Sequence, residues 1–236
     1  MSLLSDHSRG PSRRFGPSLL ATAAAGLLVG GFALAFYWAP EDADQGFSQK
    51  IFYLHVPIAL TAYACFGWGA WKALRLLWTG ERRYDLESYT GVHMGVIFAL
   101  LTLVTGSIWA KISWGVWWTW EERQLVLFLI LFLFYSSYFM LRYSLDPGPG
   151  RERSSAVYAL FGVVLVPVSF LAVRIGGTSD HPEVFQHDST GMPWEMFTAF
   201  LVCLAGMLAL AFTLYRVELS GKRIDASLRE LRELLA

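Results

Sequence analysis

Two residue types in this chain can do chemistry that its apolar surroundings cannot. Histidine offers a neutral imidazole, which suits Fe, Cu or Zn. Tryptophan offers a large, flat, rigid surface for an apolar ligand. Of the 5 histidines, His55 stands in Tyr53-Leu54-His55-Val56-Pro57 and His93 in a later apolar run, while His181 and His187 share one polar segment and His7 lies near the start. Of the 10 tryptophans, Trp109, Trp114, Trp117, Trp118 and Trp120 crowd into a single stretch. Trp114, Trp117 and Trp118 have i, i+3, i+4 spacing, so a short helix there would put all three on one face.

The elements that must position these residues are membrane spans. Charged residues make up 16% of the 236-residue chain and hydrophobic residues 55%, with a mean hydropathy of +0.42; a soluble domain carries about 25% charged residues. The charges cluster between apolar runs near the ~20 residues that cross a hydrocarbon core of ~30 Å. Six such runs predict six spans, at Pro17–Trp38, Ile51–Trp78, Ser88–Ala110, Gln124–Leu141, Ser154–Val173 and Pro193–Tyr215. A backbone in lipid must satisfy its own hydrogen bonds, so the spans are helices and the fold class is all-α. The first run follows Arg13-Arg14 and contains Ala33-Leu34-Ala35, as a signal peptide would. It is longer than the ~7–15 residues of a signal h-region, and it is taken as an uncleaved helix.

Charge sets the expected orientation. Of the 19 Lys and Arg residues, only Lys50, Lys111, Arg123 and Arg174 fall on one side; the rest fall on the other with both termini. The positive-inside rule makes that richer side cytoplasmic, with both termini inside. Residues 1–220 form the membrane domain, with a tryptophan-rich outer loop at 109–123. Residues 221–236 form a cytoplasmic amphipathic tail helix, in which Ile224, Leu228, Leu231 and Leu235 recur at helical spacing. Its apolar stripe would rest on the membrane surface or a partner, or stay solvated.

This topology brings His55, the tryptophan loop, His181 and His187 to the outer face. His93 lies near the inner end of the third span, about 25 Å along the helix from Trp109, and is expected to be a packed or interfacial histidine. Two readings of the tryptophans stand. They form an aromatic belt, as tryptophan does at membrane interfaces, or a platform for a planar ligand; a belt spreads over both interfaces, whereas these are gathered in one loop. Outer histidines beside such a platform suit a planar apolar ligand with a metal at its centre, which describes haem. Lys111, Arg123 and Arg174 either meet the ligand's carboxylates or snorkel to the interface.

Trp114-Gly115-Val116-Trp117-Trp118-Thr119-Trp120-Glu121-Glu122-Arg123 resembles the signature of the tryptophan-rich (WWD-type) haem-handling membrane proteins of cytochrome c maturation. Tyr-Leu-His-Val-Pro at 53–57 is similar to the segment that carries the family's first haem-ligand histidine, and Val-Thr-Gly-Ser at 104–107 fits as well. Length, six spans and motif order resemble the haem exporter protein C branch of the bacterial system I pathway. The resemblance implies haem b held without covalent attachment at the outer face of the bacterial inner membrane. It implies His55 and His181 as axial ligands to the iron, with Trp114, Trp117, Trp118, Trp120, Glu121 and Arg123 in the cofactor-binding loop. It further implies delivery to a membrane-anchored haem chaperone, and work alongside ATP-binding-cassette transporter subunits and a small single-span subunit. Two departures stand out. Glu121 replaces the family's usual Asp, and Gly176-Gly177-Thr178-Ser179 stands where the family is commonly rich in tryptophan, so His187 rivals His181 as second ligand.

Other classes are less well served. A b-type electron-transfer cytochrome pairs histidines within spans, but His55 and His93 lie at opposite ends of theirs. A transporter unrelated to haem needs polar groups at midplane, where these spans are mostly Leu, Phe, Val, Ala and Gly. No G-x-x-x-x-G-K-[ST] is present, so ATP hydrolysis would come from partners, and the chain is expected not to be an enzyme. Cys65 and Cys203 lie in apolar runs without C-x-x-C or C-x-x-C-H, which excludes a thiol-redox motif and a self-attached c-type haem. The net charge of zero carries no sign of a nucleic-acid partner.

Overall fold

A computed structural model describes residues 17–42, 45–171 and 192–235 of the chain. Its helices are α1 (Pro17–Tyr37), α2 (Phe52–Thr79), α3 (Arg83–Ser113), α4 (Arg123–Ser144), α5 (Pro149–Val163), α6 (Leu165–Leu171) and α7 (Trp194–Leu235). A 3₁₀ turn, Phe47–Ile51, leads into α2. Among the described residues, six helical segments are long and apolar enough to cross a membrane: Leu19–Tyr37, Phe47–Thr79, Arg83–Ser113, Arg123–Ser144, Pro149–Leu171 and Trp194–Arg229. They coincide with the six predicted runs, and the protein is a multi-pass membrane helix bundle.

The fifth span differs from expectation in being two helices rather than one. Pro167 has no N–H for the carbonyl of Val163, and its ring crowds that carbonyl. The helix therefore breaks at Val164, whose own N–H turns back to the carbonyl of Phe161 at 3.3 Å. Pro149 occupies the first turn of α5, where its missing N–H costs nothing.

Helices α2 and α3 pack along most of their length, and α1 packs on α7. Small residues allow the close approach, as in other membrane bundles. A Cβ on Gly91 would come within 2.9 Å of the backbone of Gly69, and one on Gly31 within 2.7 Å of Cys203 Sγ. In the core Phe66 of α2 stacks on Tyr135 of α4 with ring centres 3.9 Å apart. Close to it, a Cβ on Gly162 of α5 would strike the Tyr135 ring at 2.7 Å.

Polar pairs fix one end of the bundle. Arg142 of α4 grips Asp85 of α3 with two hydrogen bonds, 2.8 and 2.5 Å. Arg82 meets Glu152 of α5 at 2.7 Å. Glu218 of α7 meets His93 at 2.5 Å and pairs with Lys222 one turn on. At 42 residues, α7 is about 63 Å long, twice the ~30 Å apolar core of a bilayer. The stretch from Gly221 continues the same helix without a break, and Ile224, Leu228, Leu231 and Leu235 are exposed along it.

Candidate functional site

The opposite end carries the residues of interest. It is organised first by Lys50. This lysine is only 6% exposed, and its Nζ donates to the carbonyls of Ala35 at 2.8 Å and Ala39 at 2.7 Å. The Ala35 carbonyl is one of the orphan acceptors at the negative C-terminal end of α1, which a cation satisfies, and Ala39 follows just beyond the helix. The contact pins the start of α2 against α1, and α2 then lifts His55 into place in its first turn.

His55 is half-buried against the C-terminal part of α3. Its Nδ1 lies 2.8 Å from Thr105 Oγ1. Its ring rests by the Cε1 edge on Gly106, where a Cβ would be 3.0 Å away. Any larger residue at 106 would displace the imidazole. The segment Val104-Thr105-Gly106-Ser107, singled out in the sequence, is thus the wall against which His55 stands.

Three residues beyond Gly106 the tryptophan cluster begins. The short helix that would place Trp114, Trp117 and Trp118 on one face is absent: α3 ends at Ser113, Gly115 takes φ +78°, and α4 starts at Arg123. A left-handed glycine stops the helix at its natural C-terminal position. Lys111 reinforces the stop by donating to the Gly115 carbonyl at 2.7 Å. The loop is instead built from edge-to-face pairs, Trp109 with Trp114 at 4.9 Å and Trp118 with Trp120 at 5.6 Å. Trp117 and Trp120 remain largely exposed, at 60% and 73%. Trp118 buries its indole N–H with no acceptor among the described residues, a state that costs about 1–3 kcal/mol if nothing else meets it. A ligand oxygen brought to that N–H would remove the cost.

The acidic residue that the signature points to, Glu121, is exposed, and its backbone N–H donates to Thr119 Oγ1 at 3.3 Å. Its neighbour Glu122 is the buried one, at 7% exposure. Glu122 caps α4 by accepting from the N–H of Gln124 at 3.3 Å, a placement in which a carboxylate also opposes the positive end of the helix dipole. Sequence reasoning missed that role, although an acid directly before an apolar run is a recognisable start signal. Arg123 is half-buried as the first residue of α4. His181, His187 and Arg174 lie outside the described residues. His93 is held at the far end of the bundle by Glu218 and stays partly exposed, in keeping with a packed or interfacial histidine.

The described part of the site therefore sets one oriented imidazole and a partly exposed aromatic loop at the same end of the bundle. It suits a planar ligand whose metal takes an axial nitrogen: Gly106 leaves room for the ring of His55, and the indole N–H of Trp118 lacks an acceptor among the described residues. This defines the class, a multi-pass helical membrane protein with an imidazole and a tryptophan loop at one end. The sequence pattern of the Heme exporter protein C family matches residues 9–233, and the chain belongs to that family. Heme exporter protein C of Paracoccus denitrificans is 34% identical over 224 residues, covering 90% of this chain and 89% of that protein. Heme exporter protein C of Escherichia coli K12 is 34% identical over 156 residues, 66% of this chain and 63% of that protein. A mitochondrial protein of Arabidopsis thaliana, named for cytochrome c biosynthesis, is 27% identical over 81% of this chain and 75% of its own.

Proposed function

We propose that the protein holds haem b non-covalently at the outer face of the bacterial inner membrane and hands it to a membrane-anchored haem chaperone for c-type cytochrome maturation. The observation that carries this reading is the placement of His55. In a chain of the Heme exporter protein C family, the described histidine beside the tryptophan loop is held at a helix end by a hydrogen bond to Thr105 and by contact with Gly106.

Haem brings its own equatorial nitrogens and an iron that asks the protein for axial ligands. His55 supplies one from the fixed side, on α2. His181 supplies the second from the segment between α6 and α7, with His187 as its rival. Trp114, Trp117, Trp118 and Trp120 cover the ring and exclude water, leaving one edge for the recipient. Trp118 N–H, Arg123, Lys111 and Arg174 meet the propionates. Glu121 lies exposed at the loop's rim, where a partner reads it. A ligand on a helix and a ligand on a connecting segment together grip firmly and release by movement of one. Transfer needs no bond-making by this chain, which is accordingly a haem-transfer component rather than an enzyme. ATP-binding-cassette subunits would drive release, and a small single-span subunit would complete the complex.

The positive-inside asymmetry supports the orientation, with the Lys50, His55 and tryptophan end outside and the Asp85–Arg142 end inside. The histidine arrangement supports haem handling over b-type electron transfer, since His93 is bonded to Glu218 at the far end. The test is transfer itself. Protein purified with haem b and mixed with the haem-free chaperone in detergent should lose its haem while the chaperone gains covalent haem. Haem that stays bound through repeated mixing would contradict delivery.

A further inference from the structure

We infer that Thr105 is a positioning residue for His55: its hydroxyl accepts the imidazole Nδ1–H and thereby makes Nε2 the ligand atom. The inference rests on the reading of His55 as an axial ligand and goes further by assigning the nitrogen and the residue that selects it.

Thr105 Oγ1 is 2.9 Å from the carbonyl of Leu101, 3.2 Å from that of Thr102 and 2.8 Å from His55 Nδ1. A hydroxyl has a single hydrogen, and a carbonyl can only accept. Ser and Thr hydroxyls within apolar helices commonly give that hydrogen to the carbonyl one turn back, here Leu101 at the shorter of the two carbonyl distances. With the hydrogen so placed, the oxygen presents its lone pair to His55 and Nδ1 carries the imidazole proton. The other nitrogen, Nε2, then has the lone pair that binds a metal. Which nitrogen of a histidine ligates is set by the hydrogen bond of the other, and that bond also raises the basicity of the ligand.

Gly106 completes the device. It lies beside Thr105 on α3, and the Cε1 edge of the ring fills the space a Cβ would occupy at 3.0 Å. The hydroxyl fixes the tautomer and the glycine fixes the tilt. Both act through α3, the helix whose end opens directly into the tryptophan loop. The ligand and the platform are thus referenced to one rigid element.

The test uses full-length protein purified with haem b, as wild type, Thr105→Val, Thr105→Ser and His55→Ala. Thr105→Val keeps the shape and removes the acceptor; Thr105→Ser keeps it. Haem occupancy, the absorption spectrum and the reduction midpoint potential are measured, with the amount of protein in the membrane as control. Loss of the acceptor makes the imidazole a weaker donor, so Thr105→Val should raise the midpoint potential and lower haem affinity about tenfold, the lower bound for lost partners of metal-bound histidines. Thr105→Ser should return both to near wild type. If Thr105→Val matches wild type in potential and affinity while His55→Ala loses the low-spin spectrum, the positioning role is wrong and the ligand stands. If Thr105→Ser is as impaired as Thr105→Val, the role is packing and the inference fails. A wild-type spectrum in His55→Ala overturns the ligand reading, and the inference with it.

Discussion

Replacing Arg142 by Met should destabilise the bundle far more than removal of an exposed ion pair. Arg142 and Asp85 are 4% and 6% exposed, and two hydrogen bonds of 2.8 and 2.5 Å join them. The guanidinium also lies over the Tyr89 ring at 4.6 Å. Methionine matches the length of the arginine stem but leaves the Asp85 carboxylate buried without its partner. Breaking one half of a buried pair costs about 3–5 kcal/mol, whereas replacing both halves by apolar residues is often neutral. Arg142→Met should therefore lose about 3–5 kcal/mol and the double variant Asp85→Leu/Arg142→Met much less. The assay is unfolding of purified protein by SDS titration, followed by tryptophan fluorescence. The pair closes the ends of α3 and α4 remote from the tryptophan loop, so the single variant should also retain less haem. A cost below about 1 kcal/mol, the level of an exposed pair, would refute the reasoning, as would a double variant as unstable as the sum of the singles.

Other outcomes follow from the same structure. Gly91→Val should separate α2 from α3, because its Cβ would meet the Gly69 backbone at 2.9 Å; overpacking of this kind costs about 1–3 kcal/mol, and the SDS midpoint reads it. Trp117→Ala/Trp118→Ala should impair haem retention or delivery without reducing the protein inserted in the membrane; normal cytochrome c maturation in that variant would favour the aromatic-belt reading. Reporter fusions after Arg153 and Ala236 should read cytoplasmic and a fusion at Val116 external; a cytoplasmic signal at Val116 would reverse the proposed orientation.

The spans were legible because hydrocarbon thickness imposes a run length that few other constraints imitate. Their ends were less so. Hydropathy starts the third span at Ser88, but α3 begins at Arg83, since Asp85 is buried by pairing with Arg142 from another helix. The break at Val164 was signalled by Pro167, yet an apolar run hides a break that lipid tolerates. Residues 114–122 failed as a helix because Gly115 adopts positive φ, which the i, i+3, i+4 spacing of the tryptophans does not reveal. In the site, His55 and the tryptophans could be picked out by type and neighbourhood. Thr105 as partner could not, because it lies 50 positions away. Its register depends on the Gly69–Gly91 contact between α2 and α3, a fact of packing rather than pattern.

The central claim is that His55 is an axial haem ligand, paired with His181. The most direct measurement is the absorption spectrum of the purified protein with haem b, compared with His55→Ala, His181→Ala and His187→Ala. Wild type should be low spin. His55→Ala and His181→Ala should each shift to high spin, with the greater haem loss in His55→Ala because a position fixed on a helix holds its ligand at little entropic cost. His187→Ala should match wild type. A spin change in His187→Ala but not in His181→Ala would transfer the second ligand to His187, and an unchanged low-spin spectrum in His55→Ala would contradict the account at its centre.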